Sequence, residues 1–129
     1  GLALCAAGNA PLGIDCEPVS KMRIGAARRV CAPQETEQLQ NSDNPDLLFA
    51  RIWTLKESFV KAVGRGISYP MKNAVFSFNN GHIITNVTGA HFCQYIIAEK
   101  YVISGCFAEK SVNFSLNILT NTAFYDYTV

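Results

Sequence analysis

The sequence predicts an α+β domain in which an antiparallel sheet packs against a long helix. Three features predict it. The chain has 129 residues, the size of one ordinary domain. Apolar residues recur at three- and four-residue steps in the first half, and the pattern changes period after Pro70. Helices come early and strands late, an order that favours an antiparallel over a parallel sheet.

Residues 2–7 form a short apolar run read as a strand, closed by the turn signal Gly8-Asn9-Ala10-Pro11. Residues 12–19 read as a second strand ending near Pro18, and the two are expected to make an antiparallel hairpin. Over 21–31, Met22, Ala26 and Val30 give a modest helical pattern that Pro33 ends. Pro33 then stands in the first turn of a short helix reaching Leu39. The strongest helix covers 46–63, where Leu48, Ile52, Leu55, Phe59 and Val63 make one stripe. Asp43 or Asn44 caps it ahead of Pro45, and Gly64-Arg65-Gly66 stops it. Residues 75–78 and 82–84 flank Asn79-Asn80-Gly81, a hairpin-type turn. Residues 92–98, 101–107 and 112–119 read as three further strands.

Composition narrows the function classes. With 49% hydrophobic and 16% charged residues, the chain has material for one core and is not a disordered segment. Eleven Lys and Arg against ten Asp and Glu leave a net charge of +1, which argues against a nucleic-acid partner. No apolar run approaches the ~18–20 residues that span a bilayer, so no membrane partner is expected. Five scattered cysteines (Cys5, Cys16, Cys31, Cys93, Cys106) include no C-x-x-C pair. They read as buried free thiols and imply a reducing, cytoplasmic setting. The chain opens at Gly1 without the basic region of a signal peptide, and a segment upstream is expected to have been removed.

Two groups of residues carry chemistry. Asp15 and Glu17 stand two apart on a strand, so both carboxylates face one side within an apolar segment. Close carboxylates repel unless a cation lies between them, and oxygen ligands of this kind suit Mg²⁺. The plain alternative is the wet face of a strand. On the strongest helix, Glu57 and Lys61 are four apart on one face, with Trp53 a turn earlier. They read either as a third metal carboxylate beside a phosphate-facing lysine, or as a surface ion pair beside a core tryptophan.

Together, GIDCEPV at residues 13–19 and WTLKESFVKAVGRGI at residues 53–67 resemble the 4′-phosphopantetheinyl transferase superfamily. Its pattern is G-[IV]-D-x-E followed by W-[ST]-x-K-E-[AS]-x-x-K and a glycine-containing loop. Both segments match at every signature position, and the resemblance extends over most of residues 2–110. It implies transfer of the 4′-phosphopantetheine arm of coenzyme A to a serine of an acyl or peptidyl carrier protein, with release of 3′,5′-ADP. Carried over by residue, Asp15, Glu17 and Glu57 match the Mg²⁺-binding acids. Glu57, or a water it orients, would also be the base for the carrier serine. Lys61 matches the lysine near the transferring phosphate and Lys56 the other basic residue of that motif, and the resemblance implies that both bind coenzyme A. Gly64 and Gly66 read as a plain helix stop or as backbone that lets coenzyme A approach. The basic cluster Lys21, Arg23, Arg28 and Arg29 suits an acidic carrier protein or simply a solvated helix face. His82 and His91 match no signature and are expected on the surface or in the sheet.

Larger, surfactin-synthetase-type members consist of two similar halves with coenzyme A between them. In those members a histidine-containing segment precedes the strand equivalent to residues 2–7, and this chain begins just after it. The chain is therefore read as the C-terminal half of that pseudo-two-fold fold, a single domain over 1–129 that lacks an N-terminal half, or as a shortened member that pairs with itself. Three functions follow: a Mg²⁺-dependent transferase, an incompetent half that binds coenzyme A or carrier protein, or an unrelated metal-dependent phosphoryl-transfer enzyme. The intact motif over 53–61 argues against the third. Self-association is expected, because an isolated half exposes apolar surface.

Overall fold

The computed structural model describes residues 3–108, 115–119 and 124–128. Its architecture is α+β, as the periodicities predict. Strand β1 (Leu12–Pro18) leads to helices α1 (Ile24–Val30), α2 (Pro33–Gln40) and α3 (Pro45–Val63). Strands β2 (Phe76–Asn79), β3 (His82–Thr85), β4 (His91–Ile97), β5 (Tyr101–Phe107), β6 (Ser115–Leu119) and β7 (Phe124–Thr128) follow. The main sheet has the order β1-β5-β4 and is antiparallel throughout, while β2-β3 and β6-β7 are separate hairpins.

The expected hairpin between residues 2–7 and 12–19 does not form. Residues 3–8 have no regular structure, and β1 pairs instead with β5, from Leu12 opposite Phe107 to Pro18 opposite Tyr101. The physical reason lies in side chains. Ala3, Ala6 and Ala7 offer a ladder little to pack, whereas β5 brings Val102, Ile103 and Phe107. Strand β7 was not anticipated either. Of the expected strand over 112–119, residues 112–114 lie outside the described residues.

Helix α3 begins as its sequence dictates. The Asn44 side chain accepts from the Leu47 N–H at 3.1 Å, Pro45 takes the first turn, and Gly64 closes the helix in the left-handed region at φ 68°. Its stripe meets two parts of the core. Ile52 packs with Ala27, Val30, Cys31 and Leu39, while Leu55 and Phe59 pack with Ala74, Phe76 and Cys106. Val63, the last member of the stripe, is exposed at the helix end. Between β2 and β3, Asn80 and Gly81 both take positive φ, the geometry of a two-residue hairpin turn. Cys31 and Cys106 are buried as expected and burial pushes their thiols up to about 11 and about 12, whereas Cys5 is exposed.

The contact that positions the site is α3 against β1. Gly13 has no room for a side chain: a Cβ there would stand 2.0 Å from the Ser58 carbonyl oxygen and 2.5 Å from the Ala62 nitrogen. Only glycine permits this approach. Helix and strand therefore meet backbone to backbone just where Asp15 and Lys61 are carried.

Candidate active site

Alternation along β1 turns Gly13, Asp15 and Glu17 to the sheet face that α3 covers. The Lys61 ammonium reaches down from the last turn of α3. It donates to Asp15 Oδ1 at 2.7 Å and to the Ile14 carbonyl at 3.1 Å. Two of its three N–H groups are thereby engaged, and the side chain remains half exposed. Asp15 is buried, and its second oxygen, Oδ2, has no hydrogen-bond partner among the described residues. A buried carboxylate oxygen without a donor is costly, so this arrangement needs a reason.

The electrostatics supply one. Burial raises the carboxyl of Asp15 above its ordinary range, against the opposing pull of Lys61 and of the Cys16 backbone N–H. Burial also raises Glu17, and the Asp15 charge raises it further, while the Trp53 indole and Lys61 act the other way. Glu57 is raised by burial and then by Asp15, with Lys61 opposing and Glu17 adding to the rise. Three acids from two elements thus repel one another around a single lysine. Among the described residues, no three His, Cys, Asp or Glu side chains stand close enough together, as they are placed, to hold a metal ion. The donor set is nevertheless all carboxylate, carries excess negative charge and leaves Oδ2 free, which fits a hard divalent cation.

Lys56 is not brought to this group. Its ammonium is fully buried and donates to the carbonyls of Val30 and Met71, both at 2.9 Å, while Glu35 Oε2 stands 2.7 Å away. One residue along a helix is a rotation of ~100°, which turns Lys56 inward when Glu57 faces the site. Lys56, expected at coenzyme A, thus has its ammonium engaged by Glu35 and two carbonyls inside the fold. Its partner Glu35 was missed from sequence, where Pro33-Gln34-Glu35-Thr36 reads only as a helix start. Gly64 and Gly66 both adopt positive φ, with open space where a side chain would project. That geometry accounts for a helix stop and leaves the backbone there approachable. Lys21, Arg23, Arg28 and Arg29 are all exposed along α1 and its approach, and His82 and His91 are exposed on β3 and β4.

Known proteins resemble this chain in sequence and in fold. A family model described as ACPS, 4′-phosphopantetheinyl transferase superfamily, matches residues 11–111. A 4′-phosphopantetheinyl transferase of Bacillus subtilis is 31% identical over 112 residues, which are 81% of this chain and 50% of that protein. The Sfp transferase of Bacillus subtilis strain 168 is 29% identical over 96 residues, 72% of this chain and 43% of that protein. The chain thus spans about half the length of these curated relatives. In fold it is similar to the holo-[acyl-carrier-protein] synthase of Neisseria meningitidis, with a TM-score of 0.66 at 20% identity over 78% of this chain and 98% of the other. The corresponding synthase of Thermotoga maritima gives a TM-score of 0.65 at 20% identity, over 88% of this chain and 71% of the other.

Proposed function

Since the chain belongs to the 4′-phosphopantetheinyl transferase superfamily, we propose that it takes part in moving the phosphopantetheine arm of coenzyme A to a serine hydroxyl of an acyl or peptidyl carrier protein. The observation that carries this reading is the free, buried Oδ2 of Asp15 among three mutually repelling acids. Asp15, Glu17 and Glu57 would hold Mg²⁺, with Asp15 offering Oδ2 because Lys61 already occupies Oδ1. When bound, Mg²⁺ supplies charge neutralisation and alignment for the pyrophosphate of coenzyme A.

The remaining chemistry belongs to side chains. Glu57 accepts the proton of the carrier serine, directly or through a water. Lys61 turns its third N–H to the transferring phosphate and stabilises charge that develops on the phosphoryl oxygens. Asp15 orients Lys61 through the 2.7 Å ion pair. Gly64 and Gly66 let the coenzyme approach the backbone behind α3. The exposed basic residues of α1 suit an acidic carrier helix. A cytoplasmic setting, where coenzyme A and carrier proteins meet, belongs to the same reading.

A second reading is favoured by one observation, the span of about half the relatives' length. On it, the 129-residue domain binds coenzyme A or a carrier protein and becomes a transferase only with a second half, or by pairing with its own copy. One experiment separates the two. The chain is incubated with Mg²⁺, coenzyme A and an apo-carrier protein, and the intact mass of the carrier is followed. Gain of one phosphopantetheine supports the transferase. No gain, together with calorimetric binding of coenzyme A, supports the incomplete half. Neither transfer nor binding would overturn both.

A further inference from the structure

The Ser-or-Thr that follows the tryptophan in the signature, here Thr54, has no part in the chemistry above. Thr54 on α3 and Ser104 on β5 are both fully buried, with their hydroxyl oxygens 2.7 Å apart. Proton counting sets the direction of that bond. Arg51 Nε donates at 2.7 Å to the side-chain amide of Gln94, so the receiving atom is the oxygen. The Gln94 amide nitrogen then donates to Ser104 Oγ at 2.9 Å and to the Arg51 carbonyl at 3.0 Å. Thr54 Oγ1 lies 2.9 Å from the Ala50 carbonyl, which only accepts, so Thr54 donates there. Its oxygen is left to accept from Ser104. The Arg51 carbonyl, 3.2 Å away, shares the Thr54 proton, and the Gln94 amide nitrogen stands 3.4 Å from Thr54 Oγ1 as a longer second donor. Arg51, at the head of this chain of bonds, is held 3.6 Å from the centre of the Phe78 ring.

The sheet register connects this network to the acids. Asp15, Ser104 and Gln94 are directly opposite one another across β1, β5 and β4, one transverse row on the face beneath α3. The helix is pinned to that row at two points, by Thr54 to Ser104 and by Lys61 to Asp15. Glu57 lies between the two pins, three residues beyond one and four before the other. Replacing both hydroxyls by apolar groups of equal shape would be nearly neutral for folding. What the hydroxyls add is direction, because a hydrogen bond holds distance and angle where an apolar contact lets the helix slide.

We propose that the Thr54–Ser104 hydroxyl pair, oriented by Gln94, is a positioning element that sets Glu57 over Asp15 and Glu17 for cation binding. This rests on the function proposed above. The test uses the full 129-residue chain and Mn²⁺ as probe, its affinity read from the electron paramagnetic resonance of the free ion. Two variants separate shape from hydrogen bonding. T54V keeps the volume and loses the hydroxyl, and it should weaken Mn²⁺ binding about tenfold, the usual scale for a partner of a ligand. T54S keeps the hydroxyl and loses a methyl group. It should hold Mn²⁺ within about twofold of the wild type although its Tm falls by ~2–4 °C. A merely structural role predicts that affinity follows Tm, so T54S binding more weakly than T54V would overturn the inference. So would equal affinity in all three proteins. Wild-type chain that neither binds Mn²⁺ nor transfers the arm would remove the carboxylate site itself, and this inference with it.

Discussion

The buried pair of Glu35 and Lys56 allows the sharpest prediction about stability. Both side chains are at most 1% exposed, and their charges meet at 2.7 Å. Glu35 also caps α2 by accepting from the Ala32 N–H at 2.8 Å, and it accepts from the Phe76 N–H of β2 at 2.8 Å. Lys56 ties the end of α1 and the 3-10 turn at Met71–Asn73 to α3 through two carbonyls. One pair therefore links three helices and a hairpin. Burial pulls the Lys56 ammonium down from its ordinary range while Glu35 opposes that shift, so loss of Glu35 leaves the cation with carbonyls alone.

Removing one member of such a pair costs ~3–5 kcal/mol, a large part of a total stability of ~5–15 kcal/mol. With a urea m-value of ~2 kcal/mol/M, E35Q should lower the midpoint by about 2 M. In K56M the glutamate keeps its two backbone donors and loses its counter-charge, and a similar loss is expected. The double variant E35Q/K56M removes both charges and should be closer to wild type than the sum of the singles, with a coupling of at least ~2 kcal/mol. Urea unfolding followed by emission of Trp53, the only tryptophan, measures all four proteins. Additive losses, or a single-variant cost below ~1 kcal/mol, would refute the claim that these charges depend on one another.

Three further outcomes are expected. In an active assembly, D15A and E57A should each reduce transfer at least ~100-fold by removing a cation ligand, whereas K61A should lower kcat more than it weakens coenzyme A binding; near-normal transfer by D15A would defeat the assignment. The folded-state pKa values of Asp15, Glu17 and Glu57 are raised, so the folded chain holds more protons than the unfolded one. Their contribution to stability is therefore present below the ordinary carboxylate pKa and lost as pH rises through the raised values. Urea midpoints between about pH 4 and pH 7 should decline less steeply in E57Q than in wild type, and Mg²⁺ should flatten the wild-type decline by competing with protons. G13A should drive α3 off β1, costing ~1–3 kcal/mol by overpacking and abolishing the Lys61–Asp15 pair, which a crystal structure or the loss of Mn²⁺ binding would reveal.

How far the sequence could be read depends on whether a feature is local. Helix α3 was legible because its cap, its stripe and its glycine stop all lie within twenty-odd residues and agree with one another. The β2–β3 turn was legible for the same reason, since Asn80 and Gly81 tolerate positive φ. Strand and helix periods put Asp15 with Glu17 and Glu57 with Lys61 on one face each, but only the resemblance of both segments to one family joined the pairs into a site. What could not be read was partnership across the fold. Leu12–Pro18 takes β5 rather than its neighbour in sequence, and nothing within residues 2–19 encodes that choice.

Lys56 shows why a motif is less informative about roles than about membership. It stands beside Glu57 in the same signature, yet helical rotation turns one side chain to the site and the other into the core. The signature thus mixes residues of the candidate site with residues that fix α3 in the fold: Lys56 through Glu35, and Thr54 through Ser104. Neither Glu35 nor Ser104 has a sequence signal of its own, because each acquires meaning only from the charge or hydroxyl set opposite it. Buried polar contacts of this kind contribute little net stability compared with apolar packing, and they impose direction. A site made of three repelling acids requires that direction, since its carboxylates would otherwise relax apart. The signature is accordingly a record of two constraints, the acids themselves and the buried polar partners that hold α3 at a fixed height above them.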